Sequence, residues 1–205
     1  GQRIVDEDGY YKRATNQTYG SYLPDWTGGV TNTFTYKGVM LSALIDFQKG
    51  GQLYSVTNRY GNYSGLLAET AGLNAKGNPQ RDPVSEGGGY LAVGVKEDGT
   101  PNDVYIESVD YWQHLRTRRE YYLHDASFIK LREVKVGYTL PSKLFANSFI
   151  SGVSVSLVGR NLAILHKNAP NIDPEAAYGS GNIQGFENGQ HPSTRTMGFS
   201  VNVKL

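Results

Sequence analysis

Few side chains in this sequence stand where chemistry would need them. His114, His124, His166 and His191 lack the His-x-x-x-His type of spacing that presents two imidazoles to one metal ion. With no cysteine there is no thiolate ligand and no disulfide. Asp98-Gly99-Thr100-Pro101-Asn102-Asp103 gathers oxygens of the kind calcium takes. It lacks the distal glutamate of an EF-hand, and Asp-Gly and Thr-Pro are ordinary turn chemistry, so a turn is expected. Asp6-Glu7-Asp8-Gly9 reads the same way. Glu107 and Asp110 are a carboxylate pair, but nothing nearby sets them across a substrate as a glycosidase requires. Gly87-Gly88-Gly89 lacks the lysine of a phosphate loop. No catalytic residue, metal ligand or cofactor is therefore assigned, and the chain is not expected to be an enzyme.

Aromatic residues are the richer signal. Of 15 tyrosines, eight (Tyr54, Tyr60, Tyr63, Tyr90, Tyr105, Tyr111, Tyr121 and Tyr122) fall with Trp112 in one long stretch. Their faces could stack on sugar rings or on a partner protein, or could pack the stretch onto itself. Tyr105, Tyr111, Trp112 and Tyr121 are the candidate substrate- or partner-binding residues. Arg116, Arg118, Arg119 and Glu120 form a charged run that reads as a solvated face. Asn16-Gln17-Thr18 and Asn62-Tyr63-Ser64 match the glycosylation pattern and are expected to go unused. With 20 basic and 19 acidic residues there is no general attraction to nucleic acid.

The elements that must carry these residues are strands. Met197, Phe199, Val201, Val203 and Leu205 alternate with Gly198, Ser200, Asn202 and Lys204, one apolar and one polar face. Val39, Leu41, Ala43, Ile45 and Phe47 repeat the design. Val30 to Tyr36 precedes them, joined by Lys37-Gly38 as a tight hairpin turn. Ala126 to Leu140 and Val153 to Leu165 complete five strands. Within the former, Ile129 and Leu131 sit on one parity and Val134, Val136 and Tyr138 on the other. The change at Arg132-Glu133 means a β-bulge, or a strand leaving the apolar band.

Connections alternate in length. Lys37-Gly38 is minimal and Pro141 to Gly152 short, with a helical turn after the proline. Gln48 to Asp125 and His166 to Thr194 are long. Outer-membrane barrels show this alternation, short periplasmic turns against long extracellular loops, and their strands need only about 9–11 residues. The competing architecture is a secreted β-sandwich, a carbohydrate-binding module, whose strands would bury their apolar faces against a second sheet. Gly1-Gln2-Arg3-Ile4-Val5 has no initiator Met and no signal-peptide pattern, which fits a processed terminus or a fragment alike; five strands are odd in number and too few to close a barrel, so a piece of a longer chain is expected.

Several stretches resemble the C-terminal region of SusC/RagA-family outer-membrane proteins. They are Pro24-Asp25-Trp26-Thr27-Gly28-Gly29, Phe34-Thr35-Tyr36-Lys37-Gly38, Leu41-Ser42-Ala43-Leu44-Ile45-Asp46 and Gly50-Gly51-Gln52-Leu53-Tyr54-Ser55. Asp125-Ala126-Ser127-Phe128-Ile129-Lys130-Leu131-Arg132-Glu133-Val134 is the most specific, running on to Gly137-Tyr138-Thr139-Leu140-Pro141. Gly159-Arg160-Asn161-Leu162 and Asn171-Ile172-Asp173-Pro174-Glu175 follow in order. The chain departs from many outer-membrane barrels in ending on Leu205 rather than an aromatic residue.

The resemblance implies an all-β fold: a transmembrane antiparallel β-barrel of 22 strands, of which residues 1–205 are the C-terminal portion with long extracellular loops. It implies a bacterial outer-membrane location in contact with lipid, and TonB-dependent import of oligosaccharides or peptides. The implied partners are a SusD-like surface lipoprotein, the remainder of the barrel and its plug, and the TonB complex acting through that plug.

Overall fold

The structure is a computed structural model that describes residues 2–176 and 184–205. Residue 1, and residues 177–183 of the second long connection, lie outside the described residues. The strands in chain order are β1 (Trp26–Tyr36), β2 (Val39–Lys49), β3 (Gln52–Ser55), β4 (Tyr90–Leu91), β5 (Tyr105–Ile106), β6 (Leu123–Asp125), β7 (Phe128–Thr139), β8 (Gly152–Lys167), β9 (Phe186–Glu187) and β10 (Thr196–Lys204). Two α-helices, α1 (Val56–Tyr63) and α2 (Ser108–Leu115), fall in the first long connection. Among the described residues no helix is long and apolar enough to cross a membrane, which says nothing of strands. The fold is thus mostly strands with few helices.

The chain divides into two compact units, each described by itself. One lies within Gly1–Gly20, Tyr54–His124 and Tyr178–Gly189; the other within Ser21–Leu53, Asp125–Ala177 and Gln190–Leu205.

The second unit is a five-stranded antiparallel sheet, order β1-β2-β7-β8-β10. These are the five strands read from the sequence, each within a few residues of its expected ends. The β1–β2 turn puts Lys37 and Gly38 at φ 48° and 86°, the pair of positive φ values that a two-residue hairpin needs. A 3-10 turn, Ser142–Phe145, follows Pro141 as expected.

Register settles the parity change in β7. Leu44 pairs with Glu133 and Ile45 with Leu131, so Arg132 is an extra residue, a bulge. The bulge returns Ile129 and Leu131 to the face of Val134, Val136 and Tyr138. Pairing then carries one apolar face across the sheet: Phe34 to Leu41, Leu41 to Val136, Val136 to Leu157, Leu157 to Phe199. This face is bare, with Phe199 81% and Met197 80% exposed. No second sheet covers it among the described residues, as the sandwich architecture would require. The opposite face carries Thr33, whose hydroxyl shares a 2.9 Å hydrogen bond with that of Ser42, and the Arg160–Glu133 ion pair at 2.8 Å.

The first unit has its own apolar core: Val5, Tyr11, Ala92, Ile106, Tyr111, Trp112 and Leu115. In α2 the buried residues are Ser108, Tyr111, Trp112 and Leu115, the i, i+3, i+4, i+7 stripe of one helix face. Helix α1 starts at Ser55, whose Oγ accepts from the Asn58 amide at 3.0 Å. Buried Glu187 secures the same end, accepting from Ser55 Oγ at 2.8 Å, the Thr57 amide at 3.1 Å and Thr57 Oγ1 at 2.6 Å. A carboxylate suits a helix start, where amide N–H groups lack partners.

Candidate functional site

The densest polar constellation lies in the second unit, on the polar face of β7. Lys130 sits between Ile129 and Leu131 in a pleated strand, so its side chain takes the face opposite theirs. Only 4% of Lys130 is exposed, and a buried ammonium needs charged partners. It has two: Asp173 Oδ1 at 2.5 Å and Glu175. The bulge aims Arg132 into the same place. Arg132 is paired with Asp46, and its Nη1 and Nη2 donate to the Glu175 oxygens at 2.9 and 2.7 Å, a bidentate fork.

Irregularity in the neighbouring strand completes the set. Between the pairs Leu131–Ala163 and Glu133–Arg160, β8 supplies two residues against one, and Asn161 adopts φ 51°. Asn161 Oδ1 accepts from Arg132 Nη1 at 3.0 Å, and Asn161 Nδ2 donates to the Thr194 carbonyl at 3.3 Å. Ser193 Oγ donates to Asp173 Oδ2 at 2.5 Å. Burial pushes the Asp173 and Glu175 carboxyls up, but their hydrogen bonds outweigh it. Those from Lys130 and Ser193 leave Asp173 below the usual carboxylate range, and those from Arg132 and Lys130 do the same for Glu175. Both acids are therefore charged at neutral pH.

Sequence reading did not single out this network as a site, although Asp46, Lys130, Arg132, Asn161, Asp173 and Glu175 all lie in stretches that carry the family resemblance. Lys130 and Arg132, flanking Leu131 at the break in parity of β7, were the available signal.

The four candidate aromatic residues fall in the first unit with different exposures. Tyr111 and Trp112 are each 3% exposed. Tyr90 stacks on Tyr111 at 3.9 Å, and Trp112 meets Tyr111 edge-on at 5.1 Å, so their faces are taken by packing. Tyr121 is half-buried against the same core, with the Arg3 guanidinium 5.7 Å from its ring. Burial pushes its phenol up to about 12. Tyr105 in β5 stands apart, half-buried, with Lys76 Nζ 3.9 Å above its ring.

Other singled-out residues have plain structural partners. Asp98 Oδ1 accepts from the Thr100 amide at 2.9 Å and its hydroxyl at 2.6 Å, the turn expected there. Arg116 lies 4.3 Å over the Tyr63 ring, and Arg118 Nη2 donates to the Tyr11 carbonyl at 2.7 Å, so two members of the charged run are built into packing. His124 shares a 3.1 Å hydrogen bond with Asn58 Nδ2, and burial lowers its pKa. His114 is also lowered, by burial and then by Arg118. Among the described residues no three His, Asp or Glu side chains are grouped to hold a metal ion.

No family model matches this chain. Two curated relatives, both from Formosa agariphila, align along nearly all of it. TonB-dependent receptor P26 is 29% identical over 99% of this chain and 19% of its own length. TonB-dependent receptor P3 is 25% identical over 98% of this chain and 18% of its own. The chain thus spans about a fifth of the length of these relatives. Among solved structures, the RagAB peptide importer in its open-open state matches with a TM-score of 0.60 at 19% identity, covering 99% of this chain and 21% of that one. The RagAB peptide transporter matches at 0.61 and 21% identity, covering 97% and 21%. The chain is SusC/RagA-like: along almost its whole length its sequence resembles TonB-dependent receptors and its fold that of the RagAB transporter chains.

Proposed function

We propose that this chain is wall and loops of an outer-membrane β-barrel that imports nutrients in a TonB-dependent way. The observation that carries the reading is the bare apolar face running unbroken across five antiparallel strands. In water such a face would cost free energy at every exposed side chain; against lipid it is at rest. Strands of 9 to 16 residues are long enough to cross.

Aromatic placement supports the same reading. Trp26 and Tyr36 stand at the two ends of eleven-residue β1, on the apolar face, where interfacial girdles belong. Ten steps of about 3.4 Å, tilted by about 45°, rise about 24 Å, close to the ~25 Å apolar band of such barrels. The short connections then face the periplasm and the long ones the outside. The remainder of the barrel and the plug are supplied by chain beyond these residues, and energy comes from the TonB complex. Likeness to a peptide importer favours peptides as cargo; oligosaccharides are the other class, through the partly exposed Tyr105 and Tyr121. A SusD-like surface lipoprotein is the proposed partner, on the resemblance to SusC/RagA-family proteins and the likeness to the RagAB peptide importer.

The test places an arginine on each face of β10 in the full receptor. Val201→Arg sets a charge on the lipid face, at a cost of about 2–4 kcal/mol near the bilayer midplane. Folded, heat-modifiable receptor in outer membranes should fall severalfold. Ser200→Arg, on the polar face, should leave it near the parent level. Equal levels for the two variants would contradict the topology.

A further inference from the structure

The network around Lys130 says where the second long connection goes. Ile129 and Leu131 hold the apolar face of β7, so Lys130 is on the polar face, in register with Asp46 of β2. Arg132 pairs with that same Asp46. The other carboxylate partners of the two cations, Asp173 for Lys130 and Glu175 for both, are not in the sheet; they belong to the connection after β8. That connection therefore folds back over the polar face.

Its start is fastened as well. The Asn168 amide donates to the Ser127 carbonyl at 3.2 Å, and Asn168 Nδ2 to Asp125 Oδ2 at 2.9 Å. Lys167 Nζ donates to the Ile172 carbonyl at 2.7 Å. Ala169 and Ile172 are buried with Leu53 and Ala126. A segment held by an apolar anchor at one end and by a buried ion pair at the other is a fixed part of the wall.

We infer that residues 168–176 form a strap lying on the channel-facing side of the barrel wall, and that Lys130 and Arg132 are the residues that position it there. This rests on the transport reading, which makes the polar face the interior. Cargo moving along this side of the channel meets the strap, and the strap's distance from the wall is set by the reach of Lys130. The two cations act through the strap, not on cargo.

The chain has no cysteine, so a reporter thiol can be placed at Ala169 in a cysteine-free full receptor. Labelling of Ala169→Cys by a membrane-impermeant maleimide on intact cells should be slow in the parent. Lys130→Met should speed it at least tenfold with folded receptor still in the membrane. Lys130→Arg, which keeps the charge, should stay slow, and the swap Lys130→Asp with Asp173→Lys should restore slow labelling. Asp173→Asn, outside the strands, should act like Lys130→Met and carries the test if the strand variant does not assemble. Labelling unchanged in these variants, or fast in the parent, would overturn the strap. Failure of both variants to assemble would overturn the positioning role, by making the contact part of barrel folding itself. A parent receptor absent from the outer membrane would sink the transport reading instead, a separate outcome.

Discussion

At the scale of single residues, burial separates side chains that composition treats alike. Trp112 fills the core of the first unit, so Trp112→Ala should cost about 3–5 kcal/mol there. Val109, one turn away on the exposed side of α2, should change stability by no more than about 0.5 kcal/mol when cut to alanine. Limited proteolysis of the full receptor, followed at residues 54–124, measures both. His124 gives a pH prediction. Burial holds its folded pKa below the ordinary value, so the unfolded imidazole takes a proton first, near about pH 6.5. Its contribution is present above that pH and is lost as pH falls through it toward the lower folded value. Hydrogen-exchange protection factors at α1, corrected for the intrinsic pH dependence of exchange, should fall between about pH 7 and pH 5, and His124→Phe should remove part of that fall. Asp173 and Glu175 have depressed values too; their stabilisation is in place above about pH 4 and is lost only as pH falls further. The strap is therefore no neutral-pH switch. Tyr111 and Trp112 were named from residue type, yet Ser108, Tyr111, Trp112 and Leu115 at helical spacing already marked a core face.

At the scale of elements, alternation was legible and irregularity was half legible. Period-two patterning located the long strands whose one face is apolar; β1, with Gly28 and Asn32 on that face, was read instead from its Thr and aromatic content and the hairpin turn that follows. The break at Arg132 left two readings, and only pairing with β2 and β8 decides for the bulge. The bulge matters because a one-residue slip moves every side chain beyond it to the other face. Deleting Arg132 should throw Lys130 onto the apolar face and Ile129 and Leu131 onto the polar one. Folded receptor in outer membranes should then drop more than tenfold. Arg132→Ala keeps the extra residue and should lose less. Equal losses would mean that Arg132's ion pairs, rather than the bulge, matter to assembly. The elements of the first long connection escaped the sequence reading for a different reason. Its helices have eight residues each and its strands two to four, too short for a periodic signal to rise above turn chemistry.

At the scale of the whole molecule, the chain carries an apolar-faced sheet and a self-packed, tyrosine-rich unit, and covers about a fifth of its relatives' length. Among the described residues β1 and β10 each pair on one side only, so further strands have free edges to join. Expressed alone without detergent, residues 1–205 should aggregate through those edges and the bare face. The central claim is that the apolar face meets lipid, and β10 offers the most direct reading of it. Single cysteines at 197 through 204 of a cysteine-free full receptor, spin-labelled in bilayers, report accessibility to oxygen and to a water-soluble nickel chelate. The account predicts a two-residue period, with oxygen favoured at 197, 199, 201 and 203 and the chelate at 198, 200 and 202. A flat profile, or the opposite phase, would contradict it.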